Sequence, residues 1–298
     1  MQIVPTLIFT MSASLLGSII RKYYTQKTGG LTPIFLYNLV TGIVTAVILL
    51  LWGGLGTVSL FTALLGIVFG LVTNLQMIAT FKGYETGPLS YTNLIISCST
   101  VISALSGAIF WEEKLTWAHI VGLILMLASF ALAVEKKEGE KSASTKWFLY
   151  CIFGFLGCGA IGVMQKVHQS SAYRGELNAF LIIAFATSFV FSTVYLLCVL
   201  GKRHKEGRAL PKIERTHKIL FDLMLVSGGC VAVNNKLKLY LSGVMVSAVF
   251  FPIVNGCCLV LVTVAAVLLF RERLSKKQWI GVVFGMLSVL FLCNPFGA

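Results

Sequence analysis

Long apolar stretches separated by short polar breaks run through the whole chain. The breaks divide the sequence into ten apolar segments of 17 to 26 residues. A helix needs about 20 mostly apolar residues to cross a bilayer, because backbone groups that lack water must bond within their own segment. The pattern therefore predicts an all-α integral membrane protein with ten transmembrane helices, at 2–20, 32–52, 58–81, 90–110, 117–134, 147–165, 178–200, 219–238, 245–270 and 278–294.

A polar linker divides the ten segments into two equal sets. The two longest polar breaks are 135–146 and 201–218, and the first lies close to the middle of the chain. Five segments on each side indicate a repeat. We therefore expect a first five-helix half over 1–135, a polar linker over 136–146 and a second five-helix half over 147–298.

Matching motifs occur in the same order in both halves. The aligned stretches are WEEKLTWAHIVGLILMLASF (111–130) with FRERLSKKQWIGVVFGMLSV (270–289), FKGYETG (81–87) with LKLYLSG (237–243), and Lys22 with Lys166. The identical positions are Glu113, Leu115, Gly122, Ser129, Lys82, Tyr84 and Gly87, matching Glu272, Leu274, Gly281, Ser288, Lys238, Tyr240 and Gly243. Because each half has an odd number of helices, equivalent helices cross the membrane in opposite directions. The halves are thus predicted to be inverted-topology repeats.

Inverted repeats favour a carrier over other classes of membrane protein. Many secondary transporters bind substrate near the midplane between such repeats, and rocking of one repeat against the other gives alternating access. A membrane enzyme would need an intramembrane motif such as HExxH or paired acids, and the sequence has neither. A scaffold subunit would leave most polar residues within the segments without a role. We therefore expect a transporter and no enzymatic activity.

The composition agrees with membrane insertion. The chain is 57% hydrophobic and 12% charged, whereas soluble proteins average about 45–50% apolar and about 25% charged residues. The net charge of +13 comes mostly from basic residues in short loops, so membrane topology explains it better than a nucleic-acid partner does. The eight cysteines lack the spacing of a zinc site. We expect no metal and no cofactor, and the lipid bilayer and a small solute as partners.

Basic residues are unevenly distributed between the polar breaks. Breaks that follow odd-numbered segments hold 19 of the 24 Lys and Arg residues. By the positive-inside rule, this predicts that both termini lie outside the cytoplasm. The expected location is the cell membrane, as a multi-pass protein of a bacterial inner or plasma membrane.

The charged stretch FWEEKLTWAHIVG (110–122) is predicted to be a tight helical hairpin. Each copy of the motif places a Ser or Thr before a helix and a polar side chain three residues later, as in a capping box. These pairs are Thr116 with His119 and Ser275 with Gln278. Lys114 lies near the end of the preceding helix, where a cation is favoured, and Glu113 can pair with it. The alternative is a catalytic or coupling role for Glu113 or Glu272.

A family resemblance rests on this repeated motif. Each five-helix half ends with Glu, a basic residue, Leu, and Thr or Ser, followed by a helix with an early Gly. The whole chain resembles two tandem EamA-like domains of the drug/metabolite transporter superfamily. The resemblance implies a cavity lined mainly by the first four helices of each half, and transport of amino acids, sugars, sugar conjugates or organic ions. It also implies cytoplasmic termini, in disagreement with the charge distribution.

Polar side chains inside the apolar segments are candidate substrate contacts, because they are costly in a membrane and tend to face an interior cavity. The uncharged candidates are Asn38, Asn74, Gln76, Tyr91, Asn93, Asn234, Asn235 and Asn255. Each can instead bond a neighbouring helix. The basic candidates are Lys82, Lys166 and Lys238. They either snorkel towards the headgroups or hold a carboxylate or phosphate in the cavity.

The acidic residues bear on the substrate class. Only Asp222 lies clearly within a segment, about one turn from its start. A carrier of hydrophobic cations usually needs a buried carboxylate, so the sequence favours a small polar metabolite, such as an amino acid, a related zwitterion or an organic anion. The alternatives are a transporter or exchanger of nucleotide sugars or phosphorylated metabolites that uses the lysines, and an exporter of organic cations. Asp222 and Pro252, which would kink its helix, are the candidates for coupling and gating.

Two GxxxG pairs predict close packing between helices. They are Gly66 with Gly70 and Gly281 with Gly285. The second pair is also the predicted contact of a homodimer, with a monomer as the alternative.

Overall fold

The computed structural model describes residues 3–28, 30–87, 89–133, 144–205, 215–256, 261 and 275–293, and the regular structure in these ranges is helical throughout. The helices are α1 (Ile3–Thr28), α2 (Leu31–Gly53), α3 (Leu60–Thr86), α4 (Leu89–Ser97), α5 (Thr100–Trp111), α6 (Trp117–Ala133), α7 (Thr145–Gln169), α8 (Leu177–Lys205), α9 (Arg215–Val244), α10 (Ser247–Gly256, the described part) and α11 (Lys276–Cys293). A short 3₁₀ turn, Arg174–Glu176, precedes α8.

Six helical stretches of the described residues are long and apolar enough to cross a membrane, and one of them runs from α4 into α5. They are Ile3–Arg21, Leu31–Gly53, Leu60–Thr86, Leu94–Trp111, Thr145–Gln169 and Arg174–Lys202. The prediction of a helical protein with several membrane-length apolar helices is thus confirmed for the described residues. Half of the ninth predicted segment, 245–270, lies outside them, as does Glu272.

The fourth predicted segment, 90–110, is divided between two helices. After α4 ends, the backbone makes short-range bonds from Ser99 N to Ile96 O (3.1 Å), from Val101 N to Cys98 O (3.0 Å) and from Ile102 N to Ser99 O (2.9 Å). These bonds between residues three apart tighten the chain as in a 3₁₀ turn before α5 begins. The apolar run continues through this point, so hydropathy predicted a single helix here.

The turn between α1 and α2 is held by a buried tyrosine. Tyr24 donates its hydroxyl to Pro33 O at 2.9 Å, and its ring lies 5.1 Å from the ring of Tyr37. Burial, and then the neighbouring Tyr37, raises the pKa of Tyr24 to about 12. The hydroxyl therefore stays protonated, and remains a donor, at any physiological pH.

The chain forms two compact units, and each contains segments of both predicted halves. Unit 1 comprises Met1–Leu7, Leu75–Ser171 and Leu239–Ala298, and unit 2 comprises Ile8–Asn74 and Ala172–Lys238. The predicted bounds of the two repeats, 1–135 and 147–298, stay a prediction.

In unit 2, α8 packs against both α2 and α3. The helices α2 and α8 run antiparallel, with the Phe35 ring stacked 3.9 Å from the Tyr195 ring. On α3, a Cβ added to Gly66 would lie 3.1 Å from Phe180 O, and one added to Gly70 would lie 2.5 Å from Ala184 O. The close packing predicted from this glycine pair is confirmed.

In unit 1, α6 and α11 pack together through two reciprocal hydrogen bonds. Ser129 donates its hydroxyl to Gly281 O at 2.6 Å, and Ser288 donates its hydroxyl to Gly122 O at 2.7 Å. The sequence alignment pairs Ser129 with Ser288 and Gly122 with Gly281. The two hydrogen bonds are therefore equivalent: in each, the serine of one repeat bonds the glycine carbonyl of the other. The order of the contacts shows that the two helices run antiparallel.

The α6 and α11 contact also bears on the predicted homodimer. Gly281 and Gly285 are both buried within a single chain, and Gly281 O already accepts the Ser129 hydroxyl. A homodimer through this glycine pair stays a prediction, and crosslinking in bilayers is its test.

We expect Ser129→Ala and Ser288→Ala to destabilise the protein by similar amounts, each by about 1 kcal/mol, because each removes one hydrogen bond between α6 and α11. Chemical unfolding in mixed micelles measures the effect. The matched control is Ser106→Ala, since the buried Ser106 hydroxyl bonds only Ser103 O of its own helix, a bond that adds little to helix stability. If Ser129→Ala and Ser288→Ala lower the free energy of unfolding by clearly different amounts, the two hydrogen bonds do not have equivalent roles.

Candidate functional site

The two copies of the charged motif form helix caps. Ser275 N donates to Gln278 Oε1 at 3.0 Å and Gln278 N donates to Ser275 Oγ at 3.4 Å, which completes the predicted capping box. In the first copy, Thr116 N donates to His119 Nδ1 at 3.2 Å. The Thr116 hydroxyl is buried and has no hydrogen-bond partner among the described residues, so this cap is half formed, as its imperfect sequence predicts.

Glu113 forms a buried ion pair, and its partner is Lys166 of α7 rather than the neighbouring Lys114. Lys166 Nζ lies 2.6 Å from Glu113 Oε1, and the two side chains are 8% and 13% exposed. Glu113 Oε2 also accepts the Ser247 amide at 2.7 Å, and Lys166 Nζ donates to Met245 O at 3.3 Å. The pair therefore ties the ends of α5 and α7 to the turn between α9 and α10.

The backbone at the end of α5 places the Glu113 carboxylate. Glu112 has a left-handed conformation with φ of 52°, which ends the helix, and the Glu113 amide bonds Gly107 O at 3.1 Å. A Cβ on Gly107 would collide with Glu113 Oε2. Only glycine at position 107 leaves room for the carboxylate at this point.

Lys166 and Lys82 pair with carboxylates of the described residues. Besides Lys166, Lys82 lies 2.7 Å from Glu85 Oε2 within α3, and both side chains are about 40% exposed. Lys238 is partly buried on α9. An anionic solute would have to compete with a carboxylate of the protein at Lys82 and Lys166.

Three of the predicted amide side chains tie neighbouring helices together. Asn74 donates to Ser188 Oγ of α8 at 2.9 Å, Asn234 donates to Thr10 O of α1 at 3.2 Å, and Asn255 donates to Thr100 Oγ1 of α5 at 2.9 Å. Such bonds are worth about 0.6 to 2 kcal/mol in membrane proteins. Helix packing therefore accounts for part of this polar set.

The remaining candidates do not form a common site with the interhelical amides: two bond within their own helix, and the others differ in exposure. Asn235 donates to Val231 O and Gln76 donates to Thr80 Oγ1, each bond being 2.9 Å long and within one helix. The other positions are Asn38, partly buried; Tyr91 and Asp222, exposed; and Pro252, buried in α10. The side chain of Asn93 lies outside the described residues. Of the described residues, no group of three or more His, Cys, Asp or Glu is placed to hold a metal ion.

Sequence reasoning missed a fourth lysine, Lys236 of α9. Its Nζ lies 4.2 Å from the centroid of the Trp52 ring, at the end of α2. The repeat alignment directed attention to Lys238, and Lys236 has no counterpart in that alignment. The signal that could have identified it is the run Asn234, Asn235 and Lys236 inside an apolar segment.

Comparisons with known proteins give a fold but no family. No family model matches the chain. A Haemophilus influenzae protein, described as uncharacterized, is 22% identical over 228 residues, which cover 76% of this chain and 74% of that protein. A protein crystal structure matches with a TM-score of 0.75 and 16% identity, covering 97% of this chain and 96% of the other. At this identity, the likeness shows a shared fold alone.

Proposed function

We propose that this protein is a multi-pass membrane carrier of a small polar metabolite, such as an amino acid, a related zwitterion or an organic anion. Ten transmembrane helices would form two inverted repeats, as in EamA-like carriers of the drug/metabolite transporter superfamily, and move the solute by alternating access. The observation that carries the proposal is the reciprocal pair of hydrogen bonds between α6 and α11. These bonds support the repeat because residues that are equivalent in sequence make equivalent contacts in space.

The direction of the helices also supports the proposal. Equivalent helices of an inverted repeat run in opposite directions, and α6 and α11, the fifth and tenth predicted segments, are antiparallel where they pack. The second and seventh segments, α2 and α8, are antiparallel as well: Phe35 stacks on Tyr195 near one end, whereas Leu49 O lies near Asn178 at the other. Inverted repeats of this kind are typical of secondary transporters.

The surroundings of the described acidic residues favour a zwitterionic or anionic substrate over an organic cation. Within the described residues, Glu113 is neutralised by Lys166, Glu85 pairs with Lys82, and Glu176 accepts both the amide and the hydroxyl of Ser59 at 2.9 and 2.7 Å. Asp222 is exposed. No described carboxylate is thus both buried and open to a cationic solute, which favours a zwitterion or an anion over an organic cation.

Uptake or exchange in proteoliposomes tests the proposal. We expect flux of at least one solute from a panel of radiolabelled amino acids, organic acids, sugar phosphates, nucleotide sugars and quaternary amines, above that of protein-free vesicles. Flux of sugar phosphates or nucleotide sugars alone would select the phosphorylated-metabolite alternative, and flux of quaternary amines alone would select the cation exporter. No flux of any member, with the protein inserted and folded, would contradict a carrier.

A further inference from the structure

We propose that Lys236, together with Trp52 and Asn178, binds the carboxylate or phosphate of the transported solute. This assignment rests on the proposed carrier function and specifies its anion-binding group. All three residues belong to unit 2: Lys236 lies on α9, Trp52 is the penultimate residue of α2, and Asn178 is the second residue of α8.

Lys236 differs from Lys166 and Lys82 in the group that its ammonium contacts. Lys166 and Lys82 each have a carboxylate within 2.7 Å of Nζ. Lys236 is partly buried, its contact is the face of the Trp52 ring, and no carboxylate of the described residues lies within 4 Å of its Nζ. A cation gains a modest attraction from the face of an aromatic ring, whereas taking an ammonium even partly out of water is unfavourable unless an opposite charge is close. An anionic oxygen group bound to Nζ would offset the rest of this unfavourable desolvation.

Asn178 adds hydrogen-bonding capacity at the same place. A Cβ built on Gly53 would collide with Asn178 Nδ2 and lie 3.5 Å from Lys236 Nζ, so the amide and the ammonium approach one point that glycine leaves unfilled. The two bonds made by Nδ2 are long, at 3.5 Å to Leu49 O and 3.4 Å to Gly54 O, near the limit for a hydrogen bond. The amide can therefore turn a donor towards an anion.

The oxygen of Asn178 completes the arrangement. Asn178 Oδ1 is buried and accepts no hydrogen bond from the described residues, and leaving a buried acceptor unsatisfied is unfavourable. A solute whose anionic group binds Lys236 and whose ammonium or hydroxyl group donates to Oδ1 would satisfy both the Lys236 ammonium and the Asn178 oxygen. The chemistry therefore matches amino acids and hydroxy acids better than simple carboxylic acids.

Thermal unfolding in nanodiscs of phosphatidylcholine, which carries no net charge, tests the assignment. The probes are L-alanine, L-lactate and inorganic phosphate, with sodium chloride at equal ionic strength as the reference. We expect at least one probe to stabilise the unaltered protein, and Lys236→Met to raise its half-maximal concentration by about tenfold or more, which corresponds to the loss of one hydrogen bond to a charged group. Lys236→Arg should keep most of the response.

The matched control is Lys218→Met, an exposed lysine on the same helix, which should change the response by less than about twofold. Without a probe, Lys236→Met should unfold at the same or a higher temperature, because a charge without a counter-ion has been removed. The assignment is wrong if no probe stabilises the unaltered protein, or if Lys236→Met responds as the unaltered protein does. A further set of nanodiscs contains phosphatidylglycerol, which is anionic. The assignment is also wrong if this lipid stabilises the protein and none of the soluble probes does, because the bound anion is then a lipid headgroup.

Transport separates failure of this assignment from failure of the carrier proposal. If the protein carries solutes in proteoliposomes and Lys236→Met carries them with unchanged KM, the carrier stands and the assignment fails. If no solute is carried but a probe stabilises the protein through Lys236, the anion site stands and the carrier fails.

Discussion

Replacement of Glu113 by alanine should destabilise the protein by about 3 to 5 kcal/mol, because it leaves the Lys166 ammonium buried without its counter-ion. The pair is almost fully enclosed, with side chains 8% and 13% exposed, so water cannot take the place of the carboxylate. The change also removes the acceptor of the Ser247 amide. The free energy of unfolding in mixed micelles measures the loss.

Two further variants identify the cause. Lys114→Ala, which removes the exposed neighbour that the sequence offered as a partner, should leave the free energy of unfolding within about 0.5 kcal/mol. The double variant Glu113→Gln with Lys166→Met should recover much of the loss, because no unpaired charge remains. A cost for Lys114→Ala as large as that for Glu113→Ala would contradict the Glu113 to Lys166 pair.

Gly70→Ala should be the most damaging of the conservative glycine changes in unit 2, at about 1 to 3 kcal/mol. Its Cβ would lie 2.5 Å from Ala184 O and 2.8 Å from Thr187 Cβ, and a backbone carbonyl cannot move aside as a flexible side chain can. The helices α3 and α8 would have to separate. Thermal unfolding of the purified protein in detergent checks the prediction.

The matched control for Gly70→Ala is Gly201→Ala. Gly201 is also helical, on α8, but nothing lies within 4 Å of its added Cβ, so the change should stabilise the helix by about 0.5 to 1 kcal/mol. Destabilisation at both positions would mean that contact with α8 is not the cause of the Gly70 effect.

Local features were predictable from the sequence, and contacts between distant segments were not. Hydropathy located the helices because each apolar run must bond its own backbone, and the cap at Ser275 and Gln278 was predictable because its partners are three residues apart. The Glu113 to Lys166 pair depends on the register between α5 and α7, which periodicity does not encode. The turn between α4 and α5 was missed for another reason: hydropathy is unchanged across it.

The candidate site shows the same limit. The sequence shows which polar residues lie inside the segments, but whether an amide faces a neighbouring helix or a solute depends on what lies opposite, as Asn74 and Ser188 show. Lys236 could not be ranked above Lys238, because the feature that distinguishes it, the ring of Trp52, is supplied by another helix.

The Glu113 to Lys166 pair also constrains the order of events during synthesis. Chains emerge from the ribosome at roughly 5 to 20 residues per second, so Glu113 leaves the ribosome several seconds before Lys166, and Ser247 follows later still. Throughout that interval the carboxylate at the end of α5 has neither its cation nor its amide donor. The Glu113 to Lys166 pair can therefore form only after part of the second half has been synthesised.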